Sequence, residues 1–344
     1  MDIESLITMV VLATLAGGYI VASLILLRFP QILHRRKKLL FRPVHISHRG
    51  GAGENCENTV TAFKHALAQG SQMLEVDVHL TRDGEVVVSH DGHLKGKFGV
   101  DANIADIDLI NLPKYKSVMS VDFKPGFTVC CGGDCNIPTL RDVFTKFSST
   151  PINIDIKVHN ETLIHKVHEL IKEFRREDLS VWGGRASVTT KYLHKLDPSI
   201  PLFFSFQNVL SLVIMFYTGL LPFVPIKEST LEIIMPSIAF KSGRFSADLP
   251  LKFRVLLRIA DTLLMRPALF RHLERRGIQT YLWVLNDDED YERAFKLGVA
   301  GVMTDFPSKL AHFLQEHPQY AAHWRGTDSS TVEEAQCLNS AVNH

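Results

Sequence analysis

Four short runs place polar residues where they could work on a phosphate. In Met73-Leu74-Glu75-Val76-Asp77-Val78-His79-Leu80, apolar and polar positions alternate without a break. A strand with that pattern turns Glu75 and Asp77 to one face and Leu74, Val76, Val78 and Leu80 to the other. Two carboxylates on one inner face are costly to bury unpaired. A divalent cation with oxygen ligands is the simplest compensation, and an interior salt bridge is the alternative. Ile152-Asn153-Ile154-Asp155-Ile156-Lys157-Val158 repeats the pattern, adding Asp155 as a third carboxylate and Lys157 as a point charge suited to phosphate. His45-Ile46-Ser47-His48-Arg49-Gly50-Gly51 ends in glycines that permit a sharp turn, leaving His48 and the planar fork of Arg49 at the strand's exit. After the Arg82-Asp83-Gly84 turn, Val86-Val87-Val88-Ser89-His90-Asp91 reads as a hairpin return that carries His90 to the same mouth. Two histidines around a cation and a phosphate form an acid/base pair. His45, His79 and His93 read as structural residues.

Such residues meet only if the C-terminal ends of several strands converge. The period-2 runs predict strands at Val44–His48, Met73–Leu80, Ile152–Val158, Ser180–Trp182, Leu202–Phe206, Glu232–Met235, Gln279–Leu285 and Gly301–Met303. Helical patterns follow most of them, at Asn58–Gln69, Glu161–Arg175, Ser187–Leu196, Lys252–Arg276 with a break at Pro267, Asp288–Leu297 and Pro307–Gln315. This strict alternation predicts an α/β fold of the (β/α)8 TIM-barrel type, with a doubly wound open sheet as the alternative. No G-x-G-x-x-G or P-loop follows the first strand, which weakens a nucleotide-binding reading.

Two segments interrupt the repeat. Residues 91–138 form an insertion after the second strand, expected to shape substrate access. Its Cys130, Cys131 and Cys135 lack the paired spacing and fourth ligand of a zinc site, so free thiols are expected. Residues 209–226 are almost wholly apolar but broken by Gly219, Pro222 and Pro225. They make a poor spanning helix and read as an apolar lip that contacts a membrane, with a core helix of the barrel as the alternative.

The chain has 344 residues, a net charge of +1, and 46% hydrophobic against 22% charged residues. This composition excludes whole-chain disorder, and the near-neutral charge offers no footprint for nucleic acid. Five cysteines without framework spacing do not suggest a disulfide-stapled secreted fold. From Leu6 to Leu27, about 22 residues without a charge are long enough to cross a bilayer. Asp2 and Glu4 precede the run, which argues for a retained anchor over a cleaved signal peptide. Arg28, Arg35, Arg36, Lys37 and Lys38 follow it, and the positive-inside rule then keeps the barrel on the cytosolic side. The expected organisation is an anchor with its basic flank at 1–43, a catalytic barrel at 44–317 and a polar tail at 318–344.

The runs HISHRGGAGENCENT, LEVDVHLTRDGEVVVSHD, INIDIK, YLWVLN and GVMTDFP together resemble the glycerophosphodiester phosphodiesterase family over residues 44–316. The resemblance implies a TIM barrel with one divalent cation, Mg²⁺ or Ca²⁺, held by Glu75, Asp77 and Asp155. His48 and His90 match the acid/base histidines, with His90 the expected acid for the leaving group. Arg49 and Lys157 match phosphate-contacting positions, and Trp283 matches a tryptophan lining the alcohol side of the substrate. Many family members carry glutamate where Asp155 stands. The anchor and the apolar lip are most similar to membrane-anchored members that act as lysophospholipase D enzymes, which implies lysophospholipid substrates and a membrane of the endoplasmic reticulum or perinuclear region. Nothing in the sequence points to a protein partner.

Overall fold

The computed structural model describes residues 2–124, 126–241 and 250–321. Ten strands form among them: β1 (His45–Ser47), β2 (Met73–Leu80), β3 (Val86–Val88), β4 (Val118–Ser120), β5 (Thr128–Cys130), β6 (Ile152–Ile156), β7 (Ser180–Gly183), β8 (Thr230–Ile234), β9 (Gln279–Trp283) and β10 (Gly301–Thr304). The parallel path β7-β6-β2-β1-β10-β9-β8 runs in barrel order, and the antiparallel β3 adds to β2. Between β7 and β8 the ring is completed by two bridges, Trp182 to Leu202 and Phe203 to Thr230. The fifth strand expected at Leu202–Phe206 is thus shortened to two pairing residues. The physical reason is local: Ser205 accepts a hydrogen bond from Asn208 N and caps the helix Phe206–Thr218, turning the chain out of the sheet.

Alternation does the sorting it predicts. Leu74, Val76 and Val78 of β2 and Ile152, Ile154 and Ile156 of β6 are buried in one core cluster under the helices, which leaves Glu75, Asp77, Asn153 and Asp155 for the barrel interior. Full burial of one such isoleucine is worth roughly 1.5–3 kcal/mol. The β2–β6 register sets Glu75 opposite Asn153 and Asp77 opposite Asp155. The helical stretch expected at Lys252–Arg276, with its break at Pro267, is two helices, Leu251–Leu264 and Pro267–Arg275, the proline standing at the start of the second, where its missing N–H costs nothing.

The insertion has a small core of its own, in which Leu94, Phe98, Ile104, Tyr115 and Met119 pack with Cys56 and Val87. That packing corrects the reading of Cys131 as a free thiol: folding back over the residues after β1 brings it to Cys56, Cα–Cα 5.1 Å, and the two form a disulfide. Cys130 and Cys135 are free.

The N-terminal helix Ile3–Arg28 has 26 residues and only Ser23 buried, and it is the one helix among the described residues long and apolar enough to cross a membrane. It docks at its C-terminal end. Tyr19 Oη donates to Thr218 O at 2.7 Å and Ser23 Oγ to Gly219 O at 2.8 Å, while Arg275 donates to Arg28 O at 2.8 Å. The helix Phe206–Thr218 has 13 residues, short of the roughly 20 a span requires. Of the expected tail, Pro318–Ala321 is a helical turn with Tyr320 stacked on Phe295 at 5.1 Å; residues 322–344 lie outside the described residues.

Candidate active site

All eight residues singled out from the sequence converge on one end of the barrel. Seven of them, His48, Arg49, Glu75, His90, Asp155, Lys157 and Trp283, line a single cavity of about 1240 Å³. Asp77, the eighth, is fully buried. Behind this convergence is backbone geometry at the end of β1. Arg49 sits at φ 52°, followed by Gly50 at 79° and Gly51 at 93°, and a Cβ on Gly51 would come within 2.6 Å of Pro307. Only glycine fits that turn at that approach.

Glu75, Asp77 and Asp155 offer carboxylate oxygens that all lie within 4.8 Å of one another. Lys157 Nζ reaches Asp77 Oδ1 and Asp155 Oδ2, each at 2.7 Å. Asn58 donates to Asp77 Oδ2 at 2.8 Å, and the Arg49 amide donates to Glu75 Oε2 at 2.8 Å. Burial and the neighbouring Asp77 charge push Glu75 well above the usual carboxylate range. Asp77, although burial opposes its charge, is held well below that range by Lys157 and Arg49. Lys157 thus forms the interior salt bridge expected as the alternative, and the three carboxylates around it still offer an all-oxygen donor set that fits a hard divalent cation.

The two histidines share a design. His48 Nδ1 is 2.7 Å from Asp305 Oδ1, and His90 Nδ1 is 2.8 Å from Asp91 Oδ1. In each, a carboxylate engages Nδ1, which leaves Nε2 as the ring nitrogen available for proton transfer. Burial, with Arg49 adding to it, pushes His48 below its ordinary value against the pull of Asp305. Asn286 completes the Asp305 end, donating to Oδ2 at 3.0 Å. His79, read as structural, bonds the backbone carbonyl of His90 at 3.2 Å, and His93 pairs with Asp101 at 3.2 Å.

Arg49 is held by acids. Its Nη1 donates to Asp122 Oδ2 at 2.8 Å and lies 3.2 Å from Glu57 Oε2. Lys97 bonds Glu57 Oε1 at 2.5 Å, so the insertion supplies both Lys97 and Asp122 to this network. Burial alone would raise Asp122, but Lys97 and Arg49 bring it down to about 2. Phe123 stands edge-on to His48, centroids 5.7 Å apart, and edge-on to Trp283 at 6.5 Å. On the far wall, Glu232 bonds Asn153 at 2.6 Å and Thr230 at 2.9 Å, and burial pushes it up to about 7.

Sequence reasoning missed Asp305, Asn58, Glu57, Asp122, Phe123 and Glu232. Asp305 and Asn58 lie inside the GVMTDFP and GENCENT runs that carry the family resemblance. Glu232 carried the alternation signal on its strand. Asp122 and Phe123 had no local signal, since only the fold of the insertion brings them to the mouth.

A model of the glycerophosphoryl diester phosphodiesterase family matches residues 48–309. The chain is 51% identical over 298 residues to lysophospholipase D GDPD1 of Rattus norvegicus, covering 87% of this chain and 94% of that protein. It is 38% identical to lysophospholipase D GDPD3 of Mus musculus, covering 90% and 93%. Among solved structures, glycerophosphodiester phosphodiesterase from Agrobacterium tumefaciens str. C58 aligns with a TM-score of 0.54 at 17% identity, over 78% of this chain and 99% of that one. A phosphodiesterase of Oleispira antarctica in complex with the product sn-glycerol-3-phosphate aligns with a TM-score of 0.54 at 19% identity, over 80% and 98%. These two likenesses establish the fold.

Proposed function

This chain belongs to the glycerophosphoryl diester phosphodiesterase family and is a phosphoric diester hydrolase, and from that premise we propose that it acts as a metal-dependent lysophospholipase D. Its substrates are lysophosphatidylcholine, lysophosphatidylethanolamine and N-acyl forms of the latter. Its products are lysophosphatidic acid and the free head group. One observation carries the reading. The cavity that holds the histidines and carboxylates continues without a partition to an apolar wall that includes Phe203, Phe204, Phe206, Val209, Ile234 and Leu264. Each methylene buried there is worth roughly 0.8 kcal/mol, a gain open to an acyl chain and not to a water-soluble diester. The named lysophospholipase D relatives support the same substrate class.

Glu75, Asp77 and Asp155 would hold the cation, Mg²⁺ or Ca²⁺, which supplies Lewis-acid polarisation of the phosphoryl oxygens when bound. His48 Nε2 takes the proton of the glycerol 2-hydroxyl as its oxygen attacks phosphorus. His90 Nε2 gives a proton to the departing head-group oxygen, so the ester bond breaks and a cyclic phosphate forms. Water then opens the ring with the histidine roles reversed. Each acid/base partner contributes about 10²–10⁴-fold. Lys157 and Arg49 offset charge growing on phosphorus, and Trp283 with Phe123 lines the side where the alcohol leaves.

Residues 209–226 provide the membrane-facing lip of the barrel at 44–317, and the helix Ile3–Arg28 anchors it to a membrane of the endoplasmic reticulum or perinuclear region. The basic flank favours a cytosolic barrel. A lumenal barrel is the second reading, favoured by the Cys56–Cys131 disulfide, which suits an oxidising compartment. Arg36 and Lys37 also spend their charge on docking, to Glu274 and to the carbonyls of Lys227 and Glu228. Protease protection of the barrel in sealed microsomes decides between the two sides.

Product identity tests the reaction. Lysophosphatidylcholine should release choline. Release of phosphocholine with monoacylglycerol would instead assign a phospholipase C-like cut on the other side of phosphorus.

A further inference from the structure

We infer that the helix Leu251–Leu264 lies in the lipid leaflet and, with the helix Phe206–Thr218, frames a portal through which an acyl chain passes from the bilayer into the cavity. The inference rests on the lysophospholipid reading. An amphipathic helix of a globular domain hides its apolar stripe against the protein, yet none of the 14 residues of Leu251–Leu264 is buried. Val255, Leu256, Ile259 and Leu263 are 39–59% exposed, and at the helical period they share an arc of about 100°. Arg254, Arg258 and Asp261 lie outside that arc, Thr262 borders it, and Lys252 falls within it in the first turn. A broad apolar face beside a basic polar one is the composition of a helix lying in a membrane interface.

The neighbouring helix carries a matching stripe. Phe206, Leu210, Ile214 and Tyr217 are 44–64% exposed and recur at helical spacing along its length. The two stripes meet where Tyr217 Oη donates to Leu263 O at 3.1 Å. They are continuous with the anchor: Tyr19 bonds Thr218 O and stacks on Phe223 with centroids 6.0 Å apart. An apolar surface joined to a spanning helix identifies its occupant as lipid, because the anchor already fixes a bilayer beside it. Val209 and Leu264, one from each helix, line the cavity wall. The same pair of helices therefore faces lipid outside and the site within.

The test uses the full chain in phosphatidylcholine nanodiscs, with Cys130, Cys135 and Cys337 replaced by serine and a fluorophore on Leu256→Cys or, as a water-exposed control, Lys146→Cys. Lipid-borne nitroxide should quench the label at 256 several-fold more than at 146, with iodide showing the reverse. Equal iodide access at both positions overturns the inference. A second arm compares L256E/I259E with the parent. Turnover of lysophosphatidylcholine in vesicles should fall at least about tenfold while glycerophosphocholine hydrolysis is unchanged. Undiminished lysophospholipid turnover, or equal loss on both substrates, overturns the portal. If the parent itself fails on lysophosphatidylcholine, the functional reading fails, and the quenching arm still decides whether the helix lies in lipid.

Discussion

Nδ1 of His48 and Oδ1 of Asp305 lie 2.7 Å apart although 257 positions separate them in sequence. Adjacent β1 and β10 bring them together, pairing in register from His45 with Val302 to Ser47 with Thr304. The carboxylate keeps a proton on Nδ1 and so leaves Nε2 free to accept one.

Asp305→Asn should therefore lower kcat by about 10²–10⁴-fold, because an amide donating to Nδ1 enforces the wrong tautomer. Melting temperature should change little. Kinetics of the double variant with His48→Ala decide the coupling: no loss beyond His48→Ala alone is expected, and additive losses would show that Asp305 acts elsewhere.

Chelation should abolish turnover, and Mg²⁺ or Ca²⁺ should restore it. Glu75→Gln and Asp155→Asn each remove one anionic ligand, and calorimetric titration should show the restoring cation bound at least about tenfold more weakly. Unaltered affinity in both variants would place the cation outside this cluster.

Burial pushes His45, bonded to Ser71, down to about 4, whereas an unfolded histidine titrates near 6.5. Below that value the unfolded chain binds a proton that the folded chain refuses. Stability is thus lost as pH falls from about 6.5 towards about 4. Between pH 7 and 5 this site alone accounts for roughly 2 kcal/mol. Denaturant titrations of His45→Gln at the two pH values should show a shallower dependence. It should not vanish, because burial also pushes His272 down to about 4.

The disulfide ties the insertion to residues just after β1, closing a loop with a sequence separation of 75. Cys56→Ser should destabilise the chain by about 2–4 kcal/mol and raise amide exchange over the insertion before the rest of the barrel. Uniform exchange across the chain would mean that Lys97, Asp122 and the apolar insertion core hold it without the tether.

Much of the barrel was legible because strand alternation has a period that burial enforces. Leu74, Val76 and Val78 had to face the helices, so Glu75 and Asp77 had to face inward. The shortening at Leu202–Phe206 was not legible, since Phe203-Phe204-Ser205-Phe206 carries no period and the cap at Ser205 overrides strand propensity. Local spacing placed the carboxylate cluster and both histidines. It could not place Asp122 or Phe123, whose approach to Arg49 and His48 depends on tertiary folding of the insertion. Nor could it pair Cys131 with Cys56, because cysteine spacing encodes no partner.

The most direct test incubates lysophosphatidylcholine with the full chain in detergent, with and without Mg²⁺ or Ca²⁺, beside His48→Ala and His90→Ala, and identifies every product by mass spectrometry. Expected are choline with lysophosphatidic acid or its cyclic form, lost without the cation and lost in both variants while their melting temperatures hold. Cation-independent turnover, or full activity in either histidine variant, would contradict the two-histidine, metal-dependent reaction.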